Sequence, residues 1–400
     1  MAASRTVVVA GAGIGGLTAA LAIAQRGFRV TVCEAAPRLE EIGAGIQLSP
    51  NASRVLIALG LEARLKPHAV VPDELTIRTA RTGDVLARAP LGAAAAQRYG
   101  APFWVIHRSD LQAALYDSVA AMPDIELKLG VRVDDFAVHE NGLTVAAARG
   151  TRSLEEHGAA LVAADGLWSA LRRRLGHSAQ PRYAGHTAWR ALVPAEAAPT
   201  GFAAPAVNLW LGSHAHLVHY PIKGGRMINV VAIMRDDWHE PGWSGPASRT
   251  EVLDRFSAGA WHAPVRDLFS AAERWQKWAL ADCAPLARWG KGPVTLLGDA
   301  AHPMLPYLAQ GAAMAIEDAA VLGACLGRTP DDVAGGFRAY ERMRIPRITR
   351  TQRAARRNST AYHMGGAQAF LRALALRAMG GDRLIRRYDW LYGWKRPDSA

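Results

Sequence analysis

The sequence predicts an α/β fold with two interleaved parts and a helical C-terminal segment. The first part is a parallel-sheet domain, predicted by three short apolar strands that each end at a glycine-containing turn, after residues 10, 164 and 297. The second part is a mostly antiparallel β-sheet domain, predicted by strand-like segments between residues 183 and 280. Half of the 400 residues are hydrophobic, so the chain can bury one large core or two joined cores.

The first strand, Thr6–Ala10, leads into the sequence GAGIGG at residues 11–16 and an Ala/Leu-rich helix. In this GxGxxG pattern the first glycine permits a tight turn, the second lets the backbone approach a pyrophosphate, and the last lets the helix pack closely on the strand. A second strand, residues 29–33, ends at Glu34, whose carboxylate can bind the ribose hydroxyls of an adenosine. Together these elements predict a Rossmann-like dinucleotide site.

Another strand, residues 294–297, is followed by the sequence GDAAHPMLPYLAQGAAMAIED at residues 298–318. Asp299 places a carboxylate at the sheet edge, where it can accept hydrogen bonds from a polyol such as ribitol. Small residues around Gly311 open a helix, so that its N–H groups and positive end can approach the carbonyl edge of a flat, electron-accepting ring. The segment therefore predicts a flavin, although by itself it could be an ordinary strand-to-helix turn.

The remaining strand of this part, residues 160–164, ends at Asp165 and Gly166. Ser169 and Arg172 follow near the start of a basic helix, so the segment taken singly is a turn with a helix N-cap. The three motifs, in this order and at these separations, closely resemble those of the group A flavoprotein aromatic hydroxylases. In that family the first motif binds the ADP part of FAD, the DG motif lies near FAD and the nicotinamide nucleotide, and the GD motif holds the ribityl chain.

The resemblance covers nearly the whole chain and is nearest to the branch of salicylate hydroxylase and 3-hydroxybenzoate 6-hydroxylase. It implies a Rossmann-like FAD-binding domain of the GR2 type, similar to that of p-hydroxybenzoate hydroxylase, with FAD as cofactor and NADH or NADPH as co-substrate. It also places residues 43–51 beside the flavin and makes the arginine of the sequence HRSDL, residues 107–111, a contact of FAD. The cofactor-binding residues that it implies are Gly11, Gly13, Ile14, Gly15, Gly16, Glu34, Gly45, Gln47, Arg108, Val131, Asp165, Gly166, Gly298, Asp299, Gln310, Gly311 and Ala312.

The order of these segments predicts that the two domains alternate along the chain. Residues 74–88 have the pattern of two strands, and residues 107–121, which return to the nucleotide domain, have helical spacing. An alanine run at residues 93–96 is expected in a loop. The expected boundaries are residues 1–73, 101–181 and 284–362 for the FAD-binding domain, 74–100 and 182–283 for the substrate domain, and 363–400 for the C-terminal helical segment.

Residues 208–234 have the pattern of a β-hairpin with a glycine turn. Strand alternation puts His214, His216, Val218 and Tyr220 on one face, which could form a substrate wall. His216 and Tyr220 repeat the His-x-x-x-Tyr spacing that hydroxybenzoate hydroxylases of this branch use to orient the phenol and assist its deprotonation. An imidazole has a pKa suited to accepting a phenolic proton. The open alternative is a half-buried strand whose polar residues are satisfied by their neighbours.

Three further positions bear on the substrate. His302 could contact flavin or substrate, or could bond to the backbone of its own turn, so it is expected in the cleft without being assigned as the base. Pro306 stands above the flavin in the family pattern, where some hydroxybenzoate 6-hydroxylases have Gln, so their regiochemistry does not transfer directly. Gln47 stands where hydroxynicotinate hydroxylases of similar sequence carry His, which disfavours a pyridine substrate.

Charge sets limits on the partners. The net charge of +12 includes arginines within residues 342–357 and 383–387, which are expected to form solvated helix faces and could draw in anionic nucleotide and substrate. No zinc finger, RNP-like stretch or basic coiled coil accompanies them, so no nucleic-acid partner is expected.

Cysteine content and hydropathy set further limits. Cys33, Cys283 and Cys325 have neither CxxC nor finger spacing, which predicts neither a disulfide framework nor a metal site. The sequence has no apolar run near the roughly twenty residues of a membrane span and no room for a signal before the first strand. We therefore expect a cytoplasmic protein, a monomer or homodimer, with no membrane partner.

The resemblance and the residues together predict an FAD-dependent monooxygenase. NAD(P)H would reduce FAD, and O2 would form a flavin C4a-hydroperoxide that hydroxylates a small phenolic aromatic, with a carboxylated one favoured, as in salicylate and 3-hydroxybenzoate hydroxylases. Another FAD-dependent oxidoreductase of the same fold, acting on a larger or non-aromatic substrate, stays open. So do a nicotinamide-only dehydrogenase, which would leave the GD segment without a role, and a binding module without turnover.

Overall fold

The computed structural model describes residues 5–39, 44–240, 242–257 and 261–397. The strands are β1 (Thr6–Ala10), β2 (Arg29–Glu34), β3 (Gly45–Leu48), β4 (Glu74–Thr79), β5 (Val85–Pro90), β6 (Trp104–His107), β7 (Ile125–Leu129), β8 (Arg132–His139), β9 (Gly142–Arg149), β10 (Arg152–Gly158), β11 (Ala160–Ala163), β12 (Arg182–Pro194), β13 (Ala206–Leu211), β14 (Ala215–Ile222), β15 (Met227–Arg235), β16 (Ser244–Ala247), β17 (Trp275–Asp282) and β18 (Val294–Leu296). The helices are α1 (Ile14–Ala24), α2 (Pro50–Ala58), α3 (Glu62–Leu65), α4 (Gly92–Tyr99), α5 (Arg108–Ala120), α6 (Ala170–Arg174), α7 (Arg249–Ser257), α8 (Ala263–Ala271), α9 (Gly311–Arg328), α10 (Val333–Tyr362), α11 (Gly366–Met379), α12 (Gly381–Arg386) and α13 (Asp389–Tyr392). Short 3-10 helices lie at Ala195–Ala197, Lys223–Gly225, Gly298–Ala300 and Pro306–Leu308.

A five-stranded parallel sheet forms the first domain, in the order β18-β11-β1-β2-β7. The three valines of β1, Val7 to Val9, are fully buried, as expected for a strand covered on both faces. On one side, α1 and α9 pack tightly against each other. A Cβ atom at Gly323 would lie 2.6 Å from the Ala22 carbonyl oxygen, so the small residues of both helices permit this close approach. The predicted Rossmann-like domain is confirmed.

An eight-stranded sheet forms the second domain, in the order β16-β17-β12-β15-β14-β13-β4-β5. All its neighbouring strands are antiparallel except β13 and β4, which confirms the predicted mostly antiparallel sheet. On its outer face, side chains such as Trp189 and Leu217 pack against Phe256 of α7 and Phe269 of α8. Helices α7 and α8 therefore cover this face of the sheet, and the opposite face borders the cavity described below.

Two smaller sheets and a long helix complete the fold. β10, β9 and β8 form an antiparallel sheet, and β3 pairs with β6. The 30-residue helix α10 contributes Phe337 and Tyr340 to the core of the parallel-sheet domain, while Tyr362 at its other end packs against the core of the second domain. Among the described residues, no helix is both long and apolar enough to cross a membrane.

Two local predictions were wrong. The alanine run at residues 93–96 lies in α4 instead of a loop, because Leu91, Ala95 and Tyr99 are buried on one side and Gly100 ends the helix with a left-handed conformation. Residues 208–222 form two strands instead of one. The chain turns between β13 and β14 at His214, whose φ is +56°, so the predicted hairpin is a three-stranded meander.

Candidate active site

A cavity of about 360 Å³ lies where the two domains meet, and all three sequence motifs contribute to its walls. Residues of β12, β14 and β15 form another wall. The predicted site residues that line it are Gly13, Ile14, Gly15, Gly16, Gly45, Gln47, Arg108, Gly166, His216, Tyr220, Gly298, Asp299, Pro306, Gln310, Gly311 and Ala312. The fold thus brings together most of the residues predicted for cofactor and substrate.

The glycine loop after β1 has the backbone geometry that its sequence predicts. Gly11 has a φ of +106°, and a Cβ atom there would lie 2.4 Å from the Ala164 carbonyl oxygen. A Cβ atom at Gly16 would lie 1.9 Å from the Gly11 oxygen, whereas one at Gly13 would meet nothing within 4 Å. No side chain caps the start of α1. The first N–H groups of this helix are therefore available to an anion in the open space before Gly13.

Glu34 ends β2, as predicted, and its carboxylate is held in place by the backbone. Its Oε2 accepts a hydrogen bond from the Ala12 N–H at 2.7 Å, and its Oε1 accepts one from the Ala36 N–H at 2.8 Å. The N–H of Val131 donates to the Glu34 carbonyl oxygen at 2.8 Å, and the Val131 side chain is fully buried. Gly11, Glu34 and Val131 do not line the cavity, so any adenosine contacts would lie outside it.

The DG and GD motifs are joined by a buried arginine. Arg172 donates from Nη2 to the Leu167 carbonyl oxygen at 2.7 Å and from Nη1 to the Ala300 carbonyl oxygen at 3.1 Å. Asp165 accepts from the Ser169 hydroxyl at 2.6 Å, so its carboxylate fixes the turn before α6 and does not line the cavity. Sequence reasoning placed Arg172 only near a helix start. Its role as a tie between two distant turns depends on the tertiary structure.

A buried ionic cluster supports the GD turn. Its members are Glu317, Asp318, Arg344, Arg347 and His302. Asp318 accepts from the Gly298 N–H at 3.2 Å and from Arg344 Nε at 2.7 Å, and the second Arg344 branch donates to Glu317 at 2.6 Å. Burial alone would raise the pKa of the Asp318 carboxyl, but His302 and Arg344 hold it below its ordinary value.

This cluster changes two sequence predictions. His302 was expected in the cleft, but its Nε2 lies 2.5 Å from Asp318 Oδ2, its ring is 1% exposed, and it does not line the cavity. Arg344 was expected on a solvated helix face and is 1% exposed, because the two acids of α9 need a buried cation. Among the other arginines of α10, Arg350, Arg353, Arg356 and Arg357 do reach a surface depression of about 700 Å³, and none of the predicted site residues lines it.

Buried amides position the start of α9. The Nε2 of Gln310 donates to the Ser49 hydroxyl at 2.9 Å, and Asn51 Nδ2 donates to both Gln310 Oε1, at 3.1 Å, and Glu317 Oε1, at 2.7 Å. These side chains are therefore turned into the protein, and none caps the helix. The N–H groups around Gly311 remain available to a ligand in the cavity. Asp299, in contrast to these residues, is exposed at the cavity wall.

β3 packs against the sheet of the second domain at a close contact. Gly45 N–H donates to Asn229 Oδ1 at 2.6 Å, and a Cβ atom at Gly45 would lie 2.6 Å from Cε2 of Tyr220. Only glycine allows this approach, which brings Gln47 and Arg108 to the cavity wall. Gly43, at the start of the segment predicted beside the flavin, lies outside the described residues.

The wall formed by the antiparallel sheet follows the predicted alternation. His216, Val218 and Tyr220 line the cavity, and strand register places Val231 and then Arg190 beside Val218 in one cross-strand row. His214, expected on the same face, lies at the turn before β14, is exposed, and does not line the cavity.

Burial determines the protonation states of His216 and Tyr220 on this wall. Burial, together with the nearby imidazole of His363, holds the pKa of His216 well below its ordinary value, and burial raises the pKa of Tyr220. Both side chains are therefore neutral at neutral pH. His216 Nδ1 lies 2.9 Å from His363 Nε2, which leaves the Nε2 of His216 as the nitrogen available to a ligand.

Arg190 is a charged residue of the cavity wall that the sequence did not predict. It is half-buried, its Nε has no hydrogen-bond partner, and no ion pair joins its guanidinium to any acid among the described residues. Its charge lies 5.1 Å from the centre of the Trp278 ring. Burial lowers the pKa of Arg190. A cation that lines a cavity without a protein counter-ion suits an anionic ligand.

Residues 4–355 of the chain match the family described as FAD binding domain. The chain belongs to this family. A relative with the same span, 3-hydroxybenzoate 6-hydroxylase of Polaromonas naphthalenivorans (strain CJ2), is 38% identical over 392 residues, which cover 98% of this chain and 96% of that protein.

Two solved structures share the fold over nearly the whole chain. The Klebsiella pneumoniae protein HpxO, complexed with FAD and uric acid, has a TM-score of 0.85 and 28% identity, with 97% of this chain and 96% of that chain covered. A salicylate hydroxylase substrate complex has a TM-score of 0.82 and 25% identity, with 100% of both chains covered. The cofactor of this chain is therefore FAD, as predicted.

The residues of the cavity fit this cofactor. The open space before Gly13 and the uncapped start of α1 could take a pyrophosphate, the exposed carboxylate of Asp299 could bind ribityl hydroxyls, and the uncapped start of α9 at Gly311 could meet the carbonyl edge of the flavin ring. These three features border the same cavity. The substrate wall with His216 faces the same cavity.

Proposed function

We propose that this FAD-dependent enzyme is a monooxygenase that uses NAD(P)H and O2 to hydroxylate a small phenolic aromatic carrying a carboxylate. The observation that carries the proposal is that His216, Tyr220 and Arg190 line one cavity together with the FAD motifs. A base, a hydroxyl and a cation at this place match the two polar groups of a hydroxybenzoate. The relative named 3-hydroxybenzoate 6-hydroxylase supports the same substrate class.

The protein holds FAD through residues of all three motifs. Residues 11–16 would bind the pyrophosphate, Glu34 the adenosine ribose, Asp299 the ribityl chain, and residues 310–312 the flavin ring. Gly45, Gln47 and Arg108 would lie beside the ring, and Asp165 and Val131 would act through the turns that they stabilise. When bound, FAD supplies the redox and oxygen-transfer chemistry.

His216 is the base in this proposal. Because its imidazole is neutral, its Nε2 can accept the phenolic proton, and the loss of that proton raises the electron density of the aromatic ring. Tyr220 lies two rows further along the same strand and stays protonated, so its hydroxyl can hold the substrate oxygen by a hydrogen bond. The apolar neighbours Val218, Val231 and Ile233 help to exclude water.

Arg190 binds the carboxylate. β14 and β12 are separated by one strand, β15, and Arg190 lies in the row of Val218, two residues along β14 from His216. The backbone positions of His216 and Arg190 therefore lie about 12 Å apart. Side chains reaching inward from these positions can hold the opposite ends of a single aromatic ring. The guanidinium fork matches a carboxylate by two parallel hydrogen bonds.

The alternative is an FAD-dependent oxidation of a larger or non-aromatic substrate. It is favoured by HpxO, a protein whose structure contains uric acid. The cavity volume of about 360 Å³ weighs against a large substrate, because the flavin ring has to occupy part of it. Pro306 lines the cavity, and the family resemblance implies Gln at this position in some hydroxybenzoate 6-hydroxylases, so we do not carry over their position of hydroxylation. Three free, buried cysteines are consistent with the expected cytoplasmic location.

The test is oxidation of NADH and NADPH by the FAD-loaded protein, with O2 uptake and peroxide measured for 3-hydroxybenzoate, other hydroxybenzoates, salicylate, 6-hydroxynicotinate and urate. Fast consumption with little peroxide and a hydroxylated product for one phenolic acid would support the proposal. Coupled turnover of urate alone would favour the alternative. Slow oxidation with stoichiometric peroxide for every compound would contradict both.

A further inference from the structure

A cluster of histidines continues from His216 away from the cavity. His216 Nδ1 lies 2.9 Å from His363 Nε2, and the ring centres of His363 and His186 lie 4.6 Å apart. Tyr307 and Tyr362 flank the cluster, with ring centres 5.4 and 5.2 Å from that of His216. His216 borders the cavity, whereas His186 and His363 are only half-buried. The cluster therefore extends from the cavity toward the protein surface.

The three histidines come from different parts of the chain. His216 lies on β14 and His186 on β12, while His363 is the residue that ends α10, 147 positions after His216. The loop after α10 is pressed against the turn before β14, since a Cβ atom at Gly365 would lie 2.7 Å from the Ser213 hydroxyl oxygen. This contact holds His363 in position beside His216.

The outer histidines are incompletely hydrogen-bonded. Nδ1 of His363 and Nδ1 of His186 are buried, and neither has a partner among the described residues. A buried polar atom without a partner costs about 1–3 kcal/mol, and native proteins retain few of them outside functional sites or ordered waters. Metal binding does not account for them, because no group of side chains within the described ranges could hold a metal ion.

We propose that His363 passes on to solvent the proton that His216 takes from the bound phenol. This inference rests on the proposed function. The phenolic O–H bond breaks as the proton moves to Nε2 of His216, the Nδ1 proton of His216 moves to Nε2 of His363, and the Nδ1 proton of His363 moves to a water that partners this buried nitrogen and passes the proton on to solvent. One proton leaves the phenol and one reaches solvent, and both imidazoles end neutral in the opposite tautomer. Reprotonation of the product runs the same steps backwards and restores them.

The charges around the cluster favour transfer over storage of the proton. Burial lowers the pKa of His363 to about 3, helped by His186, His214, Arg372 and Arg235, and it lowers the pKa of His186 as well. His216 faces His363, His186 and Arg372, which add to the effect of burial on its pKa. The tyrosines on either side are neutral, because burial raises their pKa. No member of the cluster can keep a positive charge, so a proton taken from the cavity is not stored on His216 but is passed on or returned to the phenolate.

The experiment follows ionisation of a bound phenol without turnover. FAD-loaded protein is mixed in a stopped-flow instrument with 3-hydroxy-4-nitrobenzoate, below the phenol pKa of the free ligand, and a pH indicator reports the released proton. Wild-type protein should form the coloured phenolate and release one proton per site at the same rate. His363→Gln, which keeps a polar side chain of similar size but cannot pass a proton, should bind the ligand with unchanged affinity and ionise it about 10- to 100-fold more slowly.

A second variant and a control separate a relay from a packing role. In His363→Ala, added imidazole should restore the rate, whereas His157→Gln, an exposed residue of β10, should behave as wild type with or without imidazole. Wild-type ionisation rates in both His363 variants, or absence of rescue by imidazole, would overturn the relay and leave the proposed function intact. If the wild-type protein binds but does not ionise the phenol, the proposed function itself is wrong.

Discussion

Arg190 allows a prediction in which binding and stability change in opposite directions. In the free protein its guanidinium is half-buried, stacks on Trp278 and has no acidic partner among the described residues, so its charge costs stability. With a carboxylate bound, the same charge is paired. Replacing Arg190 by Met keeps an unbranched chain against Trp278 and removes the charge.

The magnitudes follow from the contacts. Hydrogen bonds to a charged group contribute about 1.5–3 kcal/mol each, so one such bond corresponds to a loss of about 10- to 150-fold in affinity for a carboxylated ligand. The uncharged analogue should bind the variant as it binds the wild type. In the free protein, removal of the unpaired charge should increase the free energy of unfolding by about 1 kcal/mol. This is the usual gain from a single stabilising substitution at a functional site.

The assay is titration of FAD-loaded protein with 3-hydroxybenzoate and 3-hydroxybenzamide, followed by the flavin absorbance, together with urea unfolding of the ligand-free protein. Arg190→Lys, which keeps the charge without the fork, should fall between wild type and Arg190→Met. Arg226→Gln, at an exposed turn, should change neither quantity. An equal loss of affinity for the acid and the amide, or no loss for either, would refute the reasoning.

Three other predictions concern the base, the glycine loop and the buried cluster. His216→Ala should lower hydroxylation more than ligand-stimulated NADH oxidation, seen as a larger fraction of peroxide per NADH; unchanged coupling would argue against its role as base. Gly13→Ala should leave the thermal stability of the apoprotein unchanged and weaken FAD binding in a fluorescence titration, whereas Gly16→Ala should destabilise the apoprotein, because its Cβ would lie 1.9 Å from a carbonyl oxygen. Because the pKa of Asp318 is lowered in the folded protein, its carboxylate stabilises the fold above the ordinary value of 3.8, and this contribution is lost as the pH falls below that value. Asp318→Asn should lower the free energy of unfolding by about 3–5 kcal/mol and should weaken the decrease of that free energy at acidic pH, as measured by urea unfolding at several pH values.

The sequence alone contained the FAD motifs and the orientation of the substrate strand, because both depend on local geometry. Gly11 and Gly16 are required by a turn that tolerates no Cβ atom, and the strand-to-helix order around them follows from short-range patterns. His216 and Tyr220 share a face because side chains alternate along any strand. The family and its cofactor followed from these features.

Only the tertiary structure decided which polar side chains meet at the site. Arg190 reaches the cavity through the register of β12 on β15, His363 reaches His216 from the end of α10, and Arg172 joins turns that lie 127 residues or more apart. The same packing withdrew His302 from the cavity and buried Arg344 beside two acids. A histidine or arginine has the same local pattern in either environment, and the pairing that determines its charge and role comes from residues distant in sequence.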